Sequence, residues 1–319
     1  MVGSEGLMTF LREGKMIRPN FFIIGAPKCG TTALSQYLSE HPRVFISSSK
    51  EPQYFDFDLT KHHQPSLEEY LGYYRGADPA IHLAVGESST SHLFSKRAVP
   101  EILKFNPGAR FIVMLRNPVD LVYSFHSEMF FCGIESVEDF EKAWRLEKER
   151  DEGRGLPPLC VEKDRLRYSQ WGKLGDQMER LFSLVPREKV LVIIYDDFMT
   201  NTAETYRSVL EFLGVRPDHR KNFPRINENK ILRWPRVQKY LAFMATQVWK
   251  IKNRLNVGKS LGVLTGLIHL NRKFYKRPPL REGLREELAD FYQSDVEKLG
   301  RLLGRDLSHW VRRENSSRS

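Results

Sequence analysis

The chain has 319 residues, 41% hydrophobic and 28% charged, a globular composition that excludes a disordered or low-complexity protein. Fifty Lys and Arg against forty Asp and Glu leave a formal charge of +10, so the ligands to expect are anions: nucleotides, acidic glycans, nucleic acid or a membrane surface. No apolar stretch approaches the roughly 18 residues of a membrane span, the opening MVGSEGLMTFLREGK lacks a signal-peptide core, and three cysteines (Cys29, Cys132, Cys160) make neither a disulfide framework nor a metal set, so a soluble cytoplasmic protein is expected.

Residues 1–17 read as an N-terminal extension. FFII at 21–24 is an apolar run ending in Gly25, the pattern of a buried strand. A helix from about Thr31 to Glu40 follows, with Leu34, Tyr37 and Leu38 on one face and His41-Pro42 as its stop. VFI at 44–46 is a short strand, and the apolar LAV before Gly86 and Glu87 reads either as a strand end or as the wall of a cleft. Val99, Ile102 and Leu103 mark a helix, then FIVML at 111–115 forms a second fully apolar strand. Asn117 and Pro118 occupy the N-cap and first position of a helix through VDLVYSFHSEMF. Leu174, Met178, Leu181 and Phe182 mark another helix before VLVIIY (190–195), and a helix of about 202–213 is closed by Gly214.

Strands alternating with helices predict an α/β fold: a P-loop-like parallel sheet flanked by helices on both faces. A single domain over 18–310 is expected, with 311–319 as a tail. Ligands should collect at the carboxyl ends of the strands. Two stretches break the rhythm. EKAWRLEKERDEGR (141–154) reads as a solvated helix running into a loop, or as part of a lid over 141–165. Residues 219–239 hold seven Lys or Arg against the single carboxylate Glu228.

The chemistry starts in GAPKCGTT, 25–32. Two glycines five positions apart after a strand make a phosphate-cradling turn, in which backbone N–H groups and a helix N-terminus converge on one anion. In a nucleotide triphosphatase a lysine follows the second glycine; here Thr31 stands there, and Lys28 lies inside the loop. A triphosphate tail loses its main clamp, while Lys28 can cover the bond between a 5′-phosphate and a departing group. A second strand end offers another anion site, because Arg116 presents a planar fork to two phosphate oxygens and Ser124 lies two helical turns on.

PKCGTTAL resembles the 5′-phosphosulfate loop of sulfotransferases that use 3′-phosphoadenosine 5′-phosphosulfate. FIVMLRNPVDLVYSFH is similar to the 3′-phosphate segment of the same family. YDDFMTNTAETYRSVLEFLGV and GRDLSHW (304–310) extend the resemblance over about residues 18–310. It implies that Lys28, Cys29, Gly30, Thr31, Thr32, Arg116 and Ser124 hold the cofactor, with no metal, and that 3′-phosphoadenosine 5′-phosphate is the product. It implies Glu51 as the base for the acceptor proton, in the Lys-Glu pattern of the glycan-sulfating branch, with Lys50 at the acceptor. Glu87, in GESSTSHLF, falls where the family often lines its acceptor cleft, and His92 of the same stretch is expected at the acceptor, as a second rival to Glu51 for the base. The basic 219–239 stretch corresponds to a loop over the nucleotide, with Lys230 and Arg233 reaching it. That stretch lacks the Cys pair and Lys-Gly-Arg of heparan-type members, which points away from a long sulfated glycan. The acceptor is expected to be a carbohydrate or another small or lipid-linked metabolite.

Competing readings follow from the same residues. Asp196 and Asp197 at a strand end would serve a P-loop kinase as magnesium carboxylates. Excess charge would suit a nucleic-acid-binding module, but no stacking-aromatic motif accompanies it. His126 is a rival base, although only two residues past Ser124 it points away from that face. Cys29 sits near a helix N-terminus, which lowers a thiol pKa, yet reads as a small residue filling a tight turn. Val237, Tyr240, Leu241, Met244, Val248 and Ile251 recur at helical spacing among basic residues, a core-facing helix or one resting on anionic lipid.

Overall fold

A computed structural model describes residues 17–59, 64–157, 160, 162–226, 230–232, 272–274 and 277–312. The chain opens with β1 (Phe21–Gly25), α1 (Thr31–Ser39) and β2 (Val44–Ile46). Then come α2 (Leu67–Gly72), β3 (Ala84–Ser88), α3 (Ala98–Phe105), β4 (Arg110–Leu115) and α4 (Pro118–Phe131). Three short helices, α5 (Phe140–Arg145), α6 (Glu147–Asp151) and α7 (Tyr168–Trp171), precede α8 (Leu174–Leu184) and β5 (Val190–Ile194). The last elements are α9 (Tyr195–Thr200), α10 (Thr202–Leu213), β6 (Lys230–Leu232), β7 (Arg272–Phe274) and α11 (Glu282–Leu303).

Five parallel strands form one sheet in the order β2-β3-β1-β4-β5, flanked by helices as expected. Strands in such a sheet are covered on both faces, so they are apolar without alternation; Phe21, Phe22, Ile23 and Ile24 of β1 are all fully buried. The close approach of β1 and β3 requires a glycine. Phe21 pairs with Gly86, where an added Cβ would lie 2.5 Å from the Phe21 carbonyl oxygen. Because β1 lies between β3 and β4, the loops leaving three neighbouring strands end on one edge of the sheet.

The segment from Arg305 to Trp310 is fastened to that edge. Asn117 caps α4 by accepting from Val119 N–H at 2.9 Å, and its amide donates to the Trp310 carbonyl at 2.8 Å. The Trp310 indole donates to Asp196 at 3.3 Å, and Arg305 forms a two-point pair with Asp197.

The charged 141–154 stretch departs from its solvated reading at Arg150. That guanidinium is 2% exposed and grips Glu135 through two bonds of 2.7 and 2.8 Å, while Tyr168 donates to the same carboxylate at 2.9 Å. Burial pushes the Glu135 carboxyl up, but the bonds from Arg150, Val137 N–H and Tyr168 outweigh it and hold it below the usual carboxylate range. Arg150→Met leaves that carboxylate buried and unpaired, and is expected to cost about 3–5 kcal/mol in urea denaturation. Because the folded value is depressed, Glu135 contributes stability above the unfolded carboxylate pKa, and the contribution fades as pH falls through the folded one.

Candidate active site

The turn after β1 has the geometry of a candidate anion site. Lys28 adopts φ 63° and Gly30 φ 87°. At Gly30 an added Cβ would also crowd the Phe198 and Tyr195 rings at 3.2–3.3 Å, so the tightness of the turn and its packing both select glycine. Helix α1 starts beyond Gly30 with no side-chain cap; the Ala33 N–H donates to the Gly30 carbonyl at 3.0 Å, which leaves the Thr31 and Thr32 N–H groups for a ligand. Lys28, Gly30, Thr31 and Thr32 line a cavity of about 900 Å³.

Arg116 and Ser124 line the same cavity, brought there because β4 pairs directly with β1. The Arg116 guanidinium lies 4.8 Å over the Tyr195 ring and donates to the Lys28 carbonyl at 3.4 Å, which ties the two anion sites together. Arg277 was not anticipated. Its guanidinium donates to Ser124 Oγ at 3.4 Å and stacks 4.7 Å from the Tyr123 ring, adding a second arginine at the Arg116 end. Tyr37, Tyr195, Phe198 and Phe223 add aromatic rings to the same lining. Phe223, Arg225 and Ile226, from the start of the basic stretch, line the cavity too. Lys230 falls in β6, paired with β7, while Arg233 and the 237–255 segment lie outside the described residues.

Lys50 and Glu51 line the same cavity, with Thr90 and Glu128. Burial and the neighbouring Glu128 raise the Glu51 carboxyl above the usual carboxylate range, against the pull of Lys50, Arg165 and His92. Lys28 Nζ is 3.4 Å from Glu128 Oε2, with the two side chains 29% and 40% exposed. A pair that open is worth about 0–1 kcal/mol, so an incoming anion can take Lys28 from Glu128 at little cost. Glu128 lies one turn beyond Ser124 on α4, a spacing that shares a face and was the signal available for it.

Three expected site residues are placed differently. Glu87 and His92 are fully buried and outside the cavity lining. Glu87 accepts from Tyr70 and Ser89, and His92 Nε2 lies 3.8 Å from the buried Asp56. Both follow β3 inward, because the sheet continues through residue 88 rather than opening into a cleft wall. Cys29 is fully buried, its thiol directed to the Pro27 carbonyl at 3.3 Å, and burial pushes it up to about 12. Its side chain is a packing element, which leaves only its backbone for a cofactor, and the helix-terminus effect on the thiol is overridden. His126 is 2% exposed with Nε2 2.9 Å from the Val137 carbonyl, and burial lowers its pKa. Asp197 is committed to Arg305, as described above.

The profile of the family described as sulfotransferase domain matches residues 18–300. A crystal structure of a sulfotransferase from Alicyclobacillus acidocaldarius superposes with a TM-score of 0.68 at 26% identity, covering 93% of this chain and all of that one. Carbohydrate sulfotransferase 15 of Homo sapiens is 27% identical over 62% of this chain and 44% of its own length. Bifunctional heparan sulfate N-deacetylase/N-sulfotransferase 3 of Homo sapiens is 25% identical over 93% of this chain and 31% of its own length. The chain thus spans less than half of these curated relatives. The motifs, the parallel sheet and the extent of the match agree: the chain belongs to the sulfotransferase family.

Proposed function

We propose that this protein moves the sulfonate group of 3′-phosphoadenosine 5′-phosphosulfate to a hydroxyl or amine of a carbohydrate-type acceptor. The observation that carries the reading is the convergence of Lys28, Arg116, Ser124 and Glu51 on one cavity. Its lysine and the Thr31 and Thr32 amides, its Arg116 and Ser124 with Arg277 bonded to that serine, and its aromatic rings suit a nucleotide phosphorylated at both ends. The bound nucleotide supplies a sulfonate joined to its 5′-phosphate through a bridging oxygen. Glu51 takes the proton of the attacking group as its oxygen or nitrogen bonds to sulfur. Lys28, released from Glu128, covers the bridging oxygen as the sulfur–oxygen bond breaks and charge gathers on the departing 5′-phosphate. The carbohydrate class is supported by the names of the two human relatives.

Titration calorimetry with 3′-phosphoadenosine 5′-phosphate tests the nucleotide half, and an acceptor screen with radiolabelled donor tests the transfer. Binding of ATP with magnesium in place of the bisphosphate would sink the reading. Arg116→Ala is expected to weaken bisphosphate binding by about 10–100-fold, the worth of a charge-assisted contact of roughly 1.5–3 kcal/mol. Affinity for adenosine 5′-phosphate should change far less, so preference for the 3′-phosphate narrows.

A further inference from the structure

The turn that carries Glu51 is held in an unusual backbone. Glu51 at φ 49° and Gln53 at φ 51° lie in the left-handed region without being glycine. Each such residue costs about 1–3 kcal/mol and persists only where its surroundings over-determine it. A chain of buried hydrogen bonds supplies that restraint. Gln53 N–H donates to Ser89 Oγ at 3.2 Å, and Ser89 Oγ donates to Glu87 Oε2 at 2.8 Å. Tyr70 OH donates to Glu87 Oε1 at 2.8 Å, and Tyr74 OH donates to Tyr70 OH at 3.2 Å. Glu87, Ser89 and Tyr70 are fully buried and Tyr74 is 1% exposed.

The direction of each bond follows from the groups. A serine hydroxyl has one proton and two lone pairs. With its proton committed to Glu87, Ser89 presents a lone pair to the Gln53 amide, two residues from Glu51. A buried carboxylate is costly unless bonded, and this one has a donor on each oxygen. Glu87 also sits on β3, directly beside β1, so the chain anchors the turn to the rigid middle of the sheet.

We propose that Ser89 and Glu87 are positioning residues that hold the Glu51–Gln53 turn in its strained form and so keep the Glu51 carboxylate aimed into the cavity; the inference rests on Glu51 being the base. Neither residue lines the cavity. Their influence passes through the Gln53 amide. The groups acting on Glu51 itself are Glu128, Lys50, Arg165 and His92, and none of these is changed in the test.

The test compares Ser89→Ala, the near-isosteric Ser89→Cys and Glu51→Gln in the full chain, with kcat, nucleotide affinity and pH profile measured for each. A displacement of about 1 Å in a reacting group can cost on the order of 100-fold. Ser89→Ala is therefore expected to lower kcat about 10–100-fold, Ser89→Cys less, both with bisphosphate affinity within twofold of the parent. The acidic limb of kcat should also move to lower pH, because a turn released from the sheet lets water reach Glu51. Loss of turnover in Glu51→Gln, with kcat and pH limb unchanged in both Ser89 variants, would overturn the positioning role and leave the base in place. Full turnover in Glu51→Gln would remove the base and the positioning role with it. Parallel loss of kcat and nucleotide affinity in both Ser89 variants would reassign the chain to general stability.

Discussion

Lys28→Ala is expected to lower kcat for sulfonate transfer by about 10²–10³, with a smaller effect on bisphosphate affinity. The magnitude is that of removing one aimed donor from a developing oxyanion. Lys28 sits at φ 63° between Pro27 and the buried Cys29, so the turn fixes where its side chain leaves the backbone. Its partner in the free site is Glu128 at 3.4 Å, too exposed a pair to hold it against an incoming anion. Most of the interaction should therefore appear as charge builds on the leaving oxygen, which places the loss in kcat rather than in ground-state binding. Steady-state transfer from radiolabelled donor at saturating acceptor reads it. A kcat within threefold of the parent would show that the loop amides carry the leaving group unaided.

Glu51→Gln should remove more, about 10²–10⁴ in kcat, the range of a positioned general base. Nucleotide affinity should hold or improve slightly, since a negative charge leaves a cavity built for anions. The pH dependence gives an independent check. A base works deprotonated, and burial together with Glu128 raises the Glu51 carboxyl, so activity should fall away on the acid side at a higher pH than an ordinary carboxylate would give. Glu128→Gln removes one of the two raising causes and should shift that limb to lower pH. An acidic limb that stays in place in Glu51→Gln would assign the titration to another group.

The residues proposed for the two anion sites could be singled out in the sequence because the chemistry they suggest is local. A strand, two glycines at fixed spacing and a helix start within a dozen residues position Lys28 and the amides around Thr31 by backbone geometry alone. Arg116 and Ser124 sit likewise on one strand end and one helix face, and Asn117-Pro118 mark the boundary between them. Helix α11 was missed although Leu284, Leu288, Tyr292, Val296 and Leu299 recur at helical spacing along it. The placement of Glu87 stayed open in the sequence between a strand end and a cleft wall. A strand ending at Val85 leaves Glu87 in a cleft, whereas a strand running through Ser88 carries it into the core, and the local residues fit both.

Composition, periodicity and short motifs were enough for the α/β class, the boundaries of the main strands and the residues proposed for phosphate binding, since each depends on contacts a few positions apart. The pairing of β1 with both β3 and β4 had to come from the folded chain. So did the meeting of Glu51 with Lys28 and Glu128 along one cavity, the arrival of Arg277 beside Ser124, and the burial of Glu87 behind the Gln53 turn. Those contacts join residues tens to more than a hundred positions apart, and strand order and packing, which no local pattern encodes, decide which of them touch.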